Sequence, residues 1–184
     1  NGGPLNDPTA ILYVRSSDLT ASGKLKPGVP IEPLILRAKA GDCIKMVLKN
    51  NLPAVMPDLP GYNMLPPIMD RFTVNDNGLG PKDTFNANDL RPSNRVGLRP
   101  QLVAYEASRG SGTSIGRNND RTVGPGEQKH VWWYAGDLNF NVKTGKVTAT
   151  PIEFGATNLI SSDPIKHSNK GAIGALIIEP QGAT

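Results

Sequence analysis

The stretch Leu34-Ile35-Leu36-Arg37-Ala38-Lys39-Ala40-Gly41-Asp42-Cys43-Ile44-Lys45-Met46-Val47-Leu48-Lys49 reads as two strands around a turn. In its second half Ile44, Met46 and Leu48 alternate with Lys45, Val47 and Lys49. That period of two gives a sheet one face on a core and one face toward water. Ala40-Gly41-Asp42 supplies the turn chemistry between the halves. Outward from this pair, further strands are predicted over residues 10–14, 68–74, 129–135 and 152–154, with a broken one over 96–105. Gly124-Pro125-Gly126 is a tight turn that opens the segment 129–135. The run 172–178 is apolar without interruption, as in a strand buried on both faces. No segment predicts a helix of more than two turns.

Composition agrees with the pattern. The 184 residues include 20 Gly and 17 Pro, about a fifth of the chain. In a helix interior each Pro costs roughly 3 kcal/mol and each Gly about 1 kcal/mol, so the chain favours many short strands joined by turns. The fold expected is all-β, a Greek-key sandwich or barrel with long irregular loops, built as one domain over residues 1–184. Within it, residues 1–31 form an N-terminal strand and connection. Residues 50–94 form a Pro/Asn-rich insertion, punctuated by Pro53, Pro57, Pro60, Pro66 and Pro67. An irregular stretch of that length is normally functional or packed on a partner.

The net charge of +4 raises nucleic-acid binding, and its arrangement argues against it. Arg91, Arg95 and Arg99 recur every four residues, but Pro92, Gly97 and Pro100 lie among them, so no helical basic face can form. A single cysteine, Cys43, excludes an internal disulfide and a cysteine-based zinc cluster. It reads most simply as a small buried hydrophobe. No apolar run approaches the ~20 residues of a membrane-spanning helix.

Three separated segments together resemble the cupredoxin domains of the multicopper oxidase family, of the large manganese-oxidase and ceruloplasmin-like type. Residues 32–53, which include the opening stretch and end in Asn50-Asn51-Leu52-Pro53, are similar to that family's early hairpin with its Gly-Asp turn. Val123-Gly124-Pro125-Gly126 and the aromatic Trp132-Trp133-Tyr134 resemble a later strand. Gly171-Ala172-Ile173-Gly174-Ala175-Leu176-Ile177-Ile178-Glu179-Pro180 resembles the closing strand. The segments stand in the family's order.

The resemblance implies copper chemistry somewhere in the assembly. A type 1 site needs a thiolate, two imidazoles and usually a weak thioether. The family places many ligands in His-Cys-His-x-x-x-His-x-x-x-Gly-Met before the last strand. Laid back from Gly171, that pattern puts its last histidine on His167, its cysteine on Ser162, the flanking histidines on Ser161 and Asp163, and its methionine on Ala172. His167 is the single relic; the other four are lost-ligand positions. The region Ser93 to Gln101, where an early His-x-His would fall, holds no histidine, and Arg99 there would repel a metal cation. The resemblance therefore implies a copper-free domain with no catalytic, cofactor-binding or metal residues of its own. Copper is expected in neighbouring cupredoxin domains of the same or an associated chain, outside the cytoplasm. Such a domain supports an oxidase of metal ions or small reductants without being catalytic itself. A non-enzymatic assembly or binding module is the alternative, and in either case an apolar patch is expected where a partner belongs.

Other features read as structure. His130, Trp132 and Tyr134 share one strand face, as packing aromatics do. Asn75-Asp76-Asn77-Gly78 lacks the glutamate of a calcium loop and reads as a turn. Gly110-Ser111-Gly112 and Gly116 belong to a loop. Met64 and Met69 lie in the Pro-rich insertion, as gap-fillers.

Overall fold

The structure, a computed structural model, describes residues 7–57, 91–114 and 119–183, together with the short strands at 68–69, 74–75, 78–79 and 84–85. The chain is mostly β. Its strands are β1 (Leu34–Lys39), β2 (Cys43–Lys49), β3 (Ile68–Met69), β4 (Val74–Asn75), β5 (Gly78–Leu79), β6 (Thr84–Phe85), β7 (Arg99–Pro100), β8 (Ala104–Tyr105), β9 (Gln128–Tyr134), β10 (Gly136–Asn141), β11 (Lys146–Pro151), β12 (Gly155–Ile160) and β13 (Gly174–Glu179). Two four-residue helices, α1 (Ala107–Gly110) and α2 (Lys166–Asn169), and a 3-10 turn at Ser16–Asp18 complete the described elements.

Two main sheets carry the architecture. One has the order β1-β13-β12-β7 and the other β2-β9-β8. The opening stretch is thus not a hairpin. β1 pairs in parallel with β13, Leu34 opposite Gly174 through Lys39 opposite Glu179, whereas β2 pairs antiparallel with β9. Gly41 and Asp42 turn the chain from one sheet to the other: Gly41 N–H donates to the Ala135 carbonyl, and Ala135 N–H to that of Asp42. The turn residues read from sequence are right, and their product is a corner between layers.

The inner faces of both sheets meet in one core, the arrangement of a β-sandwich-like fold. Leu176 and Ile178 of β13, Leu159 of β12, Val131 and Trp133 of β9, and Leu98, Val103 and Ala135 are buried together. Leu34, Leu36 and Ala38 from β1 and Ile44, Met46 and Leu48 from β2 pack against them. The strict alternation along β1 and β2 survives as alternating exposure. Each fully buried side chain of this size contributes about 1.5–3 kcal/mol.

Several expectations are corrected. Residues 10–14 form no strand. Their side chains anchor them instead: Ile11 is buried with Met56 and Ala172, and the Tyr13 hydroxyl donates to the Gly97 carbonyl at 2.6 Å. Residues 152–154 also lie outside any strand; the strand that follows is β12. The closing strand is fully buried on one face only, through Leu176 and Ile178, while the alternate residues Ala175, Ile177 and Glu179 are half-buried. Cys43 is exposed, since it falls on the outward parity of β2 opposite Ile44. The β10/β11 hairpin was not legible, because residues 136–151 are too polar and interrupted to read as strands.

In the insertion, β3 pairs with β6 and β4 with β5. Residues 70–73 of the predicted strand 68–74 lie outside the described residues, as do most of the Pro53 to Pro67 cluster, Met64, Asp76, Asn77 and Gly116. No helix among the described residues is long and apolar enough to cross a membrane.

Candidate functional site

The positions singled out by the ligand pattern converge at one end of the sandwich. β12 ends at Ile160 and delivers Ser161, Ser162 and Asp163; α2 then places His167, and the turn after it leads through Ala172 into β13. The segment Ser93 to Gly97, from the region expected to carry an early His-x-His, lies directly against them.

His167 is fully buried. Its Nε2 stands 2.6 Å from the Ser93 carbonyl oxygen and its Nδ1 2.6 Å from Ser161 Oγ. A carbonyl can only accept, so Nε2 carries a proton and donates to Ser93, while Nδ1 shares a hydrogen bond with the Ser161 hydroxyl. Both ring nitrogens are used. Ser162 Oγ donates to the Arg95 carbonyl at 2.8 Å. Asp163 accepts from Ser93 N–H at 2.9 Å through Oδ2 and from Lys166 N–H at 3.3 Å through Oδ1, while Lys166 Nζ donates to the Arg91 carbonyl at 3.0 Å. The backbone completes the staple: His167 N–H donates to the Asp163 carbonyl and Ala172 N–H to that of His167.

Tyr13 enters the same cluster. Burial pushes its phenol up to about 12, offset in part by the Ser161 hydroxyl beside it. Its acceptor, Gly97, must be glycine: a Cβ there would meet the Gly112 carbonyl oxygen at 1.7 Å. Nothing in the sequence pointed to Tyr13, because its partner is a backbone carbonyl 84 residues away.

Asn50, at the end of β2, clamps the rim. Its side-chain amide donates to the carbonyls of Asn94 and Val123, both at 2.8 Å, and its oxygen accepts from Leu52 N–H. The Asn-rich exit from the second strand thus has a physical role in tying three loops together. Arg95 extends the network outward, with Nε on Thr122 Oγ1 at 2.7 Å and an ion pair to Asp120 at 2.8 Å. Thr122 is the main cause holding the Asp120 carboxyl below its usual range.

These donors do not fit a type 1 copper. The thiolate position is a serine whose hydroxyl is spent on a backbone carbonyl, the lone relic imidazole has no free nitrogen, and Ala172 is buried with Ile11 and Met56 rather than offering a thioether. Cys43 lies on the other sheet, on its outer face. Arg99 stands on β7 opposite Ile160; its Nε is buried without a hydrogen-bond partner among the described residues. No family model matches the chain, and no curated protein matches it.

The second histidine belongs elsewhere. His130, Trp132 and Tyr134 share the outer face of β9 as predicted, opposite Val47, Lys45 and Cys43. The Trp132 ring is flanked by Lys45 Nζ at 4.6 Å and the Arg109 guanidinium at 5.0 Å, contacts worth about 0.5–1 kcal/mol each at an exposed site. Next to it is a cleft of about 270 Å³ whose lining includes Cys43, Tyr105, Glu106, Tyr134 and Leu138.

Proposed function

We propose that this chain is a copper-free, cupredoxin-like Greek-key domain with a structural and interface role in an extracytoplasmic multicopper oxidase. The whole enzyme oxidises a metal ion or small reductant with oxygen as acceptor, and other domains or chains hold the coppers. The observation that carries this reading is the spatial convergence of Ser161, Ser162, Asp163 and His167 with the Ser93 to Gly97 segment. Two segments that a copper-bearing relative would use for ligands are here cross-linked by hydrogen bonds. Each such bond to a buried group contributes roughly 0.5–1.5 kcal/mol net and costs more when one partner is removed. The end of the domain that would require metal is thereby closed by protein.

The alternative is a non-enzymatic assembly or binding module of the same fold, favoured by the exposed apolar residues of the β10/β11 hairpin. The parent polypeptide separates the two. Metal analysis of the intact source particle, with sequencing of the flanking chain, should find copper and a His-Cys-His motif outside this segment. A particle free of copper, or a gene encoding this segment alone, would overturn the oxidase reading in favour of the module.

A further inference from the structure

A basic pocket borders the unpaired edge of β9. Glu127 and Ala135, which flank the strand, both bond to the β2 side: Asn50 N–H donates to the Glu127 carbonyl, and Ala135 exchanges bonds with Gly41 and Asp42. Main-chain groups alternate in direction along an antiparallel strand, so Gln128, His130 and Trp132 turn theirs to the opposite edge. There β8 reaches only Trp133 and Tyr134. The main-chain amides of Gln128 and His130 therefore have no partner among the described residues.

Beside that edge lies a cavity of about 310 Å³ lined by Arg109, Arg121, Gln128, Lys129 and His130. Among the described residues no carboxylate lines it. Hydrogen bonds fix its walls. Arg121 N–H donates to the Thr113 carbonyl at 3.1 Å, and Trp133 Nε1 to the Gly110 carbonyl at 3.4 Å. Lys129 Nζ donates to the carbonyls of Asp120 and Thr122 at 3.1 and 2.6 Å, which leaves its third proton free.

The acids nearest these cations leave their donors open. The Arg121 side chain makes no hydrogen bond or ion pair among the described residues. Arg109 Nε stands 3.7 Å from Glu106 Oε2, with both side chains about half exposed; that distance is too long for a hydrogen bond, and an exposed pair is weak. Glu106 also accepts from the Ser108 hydroxyl. The Asp120 carboxylate is committed to Arg95 at 2.8 Å and to the Thr122 hydroxyl at 2.6 Å.

We infer that this pocket binds a phosphate monoester, its head group held by Arg109, Arg121, Lys129 and the His130 main-chain N–H. Guanidinium groups present planar forks that match phosphate oxygens two at a time. Three cations with no carboxylate in the lining suit a group that carries about −1.5 to −2 charge at neutral pH, more than a carboxylate or a sulfate ester brings. The cavity has room for that head group and a small ester substituent. The inference does not depend on the fate of the copper site.

A nuclear magnetic resonance titration of the purified chain with phenyl phosphate tests it. It is run at constant ionic strength near pH 8, above the second phosphate pKa of about 6. The His130 main-chain amide should shift saturably, with a dissociation constant of about 1 mM or tighter. Arg121→Gln removes a side chain with no internal contact and should weaken binding about 10-fold or more while the rest of the spectrum stays in place. Arg109→Gln should do the same, and carries the test if Arg121→Gln fails to fold. Phenyl sulfate and benzoate share the ring but bring one charge, and each should bind at least about 5-fold more weakly. No saturable shift by about 10 mM phenyl phosphate, a tenfold excess over the expected constant, would overturn the proposal. Binding unchanged in both glutamine variants, or benzoate or phenyl sulfate bound as tightly as phenyl phosphate, would overturn it equally.

Discussion

The two ends of this molecule solve opposite problems. At the Ser93/His167 end, the polar side chains of Ser161, Ser162, Asp163 and His167 are satisfied by internal partners. At the β10/β11 arm the polar groups are in water and so are the apolar side chains of Phe140 and Val147. The contrast separates what holds the domain together from what it offers to others. Polar residues in a sequence are not by themselves a sign of surface, nor apolar residues of core.

The sharpest way to break that contrast is to remove the buried imidazole. His167→Ala strands the Ser161 hydroxyl and the Ser93 carbonyl and opens a cavity; it should lower stability by about 3 kcal/mol in urea unfolding. Ser161→Ala leaves Nδ1 unpaired and should cost about 1–2 kcal/mol. A loss below about 0.5 kcal/mol for His167→Ala would place it with ordinary surface changes and show that the cluster does not hold this end.

Titration sharpens the same comparison with smaller effects. The Tyr13 phenol, raised to about 12 by burial, stays protonated in the folded chain at pH values where the unfolded chain has already ionised near its ordinary 10.0. The unfolded state then binds fewer protons, so this contribution is intact below about pH 10 and is lost as pH rises toward 12. Tyr13→Phe should remove that component from alkaline unfolding curves and delete a phenol titration step near 12. At the acid side, the buried Lys170 ammonium, 2.6 Å away, is the main cause holding Asp7 at about 2, against an ordinary 3.8. A depressed carboxyl stabilises above its unfolded value, so this part fades as pH falls from 3.8 toward 2. Melting of Asp7→Asn should lack that acid-side loss. An unchanged slope would mean the N-terminal strap contributes nothing.

The smallest stability effects belong to the arm. Leu138→Ser and Val147→Ser replace exposed side chains and should change unfolding free energy by no more than about 0.5 kcal/mol. A larger loss in dilute, monomeric chain would show that the arm packs on its own domain.

Much of the fold was legible because period-two alternation is a local signal. β2 was found from it, β13 from an uninterrupted apolar run, β1 and β9 from short strand-rich runs bounded by turns, and the Gly41 turn from glycine chemistry, whose positive φ suits that residue. What alternation cannot tell is the partner of each strand, so a two-sheet corner looked like a hairpin. The site was half legible. Laying a ligand pattern back from Gly171 picked out Ser161, Ser162, Asp163 and His167, which do come together. Tyr13, Ser93 and Asn50 act largely through distant backbone carbonyls and amides, which leave no trace in residue type. The arm was missed for a related reason: its apolar residues sit among Asp137, Asn139, Asn141 and Lys143, a composition that reads as loop until cross-strand pairing sorts it into two faces.

Copper titration of the purified chain, followed by desalting and metal analysis, tests the central reading most directly. With Ser162 in the thiolate position and both His167 nitrogens engaged, the expected result is no intense visible charge-transfer band and no stoichiometric copper retained. One tightly bound copper per chain would contradict it.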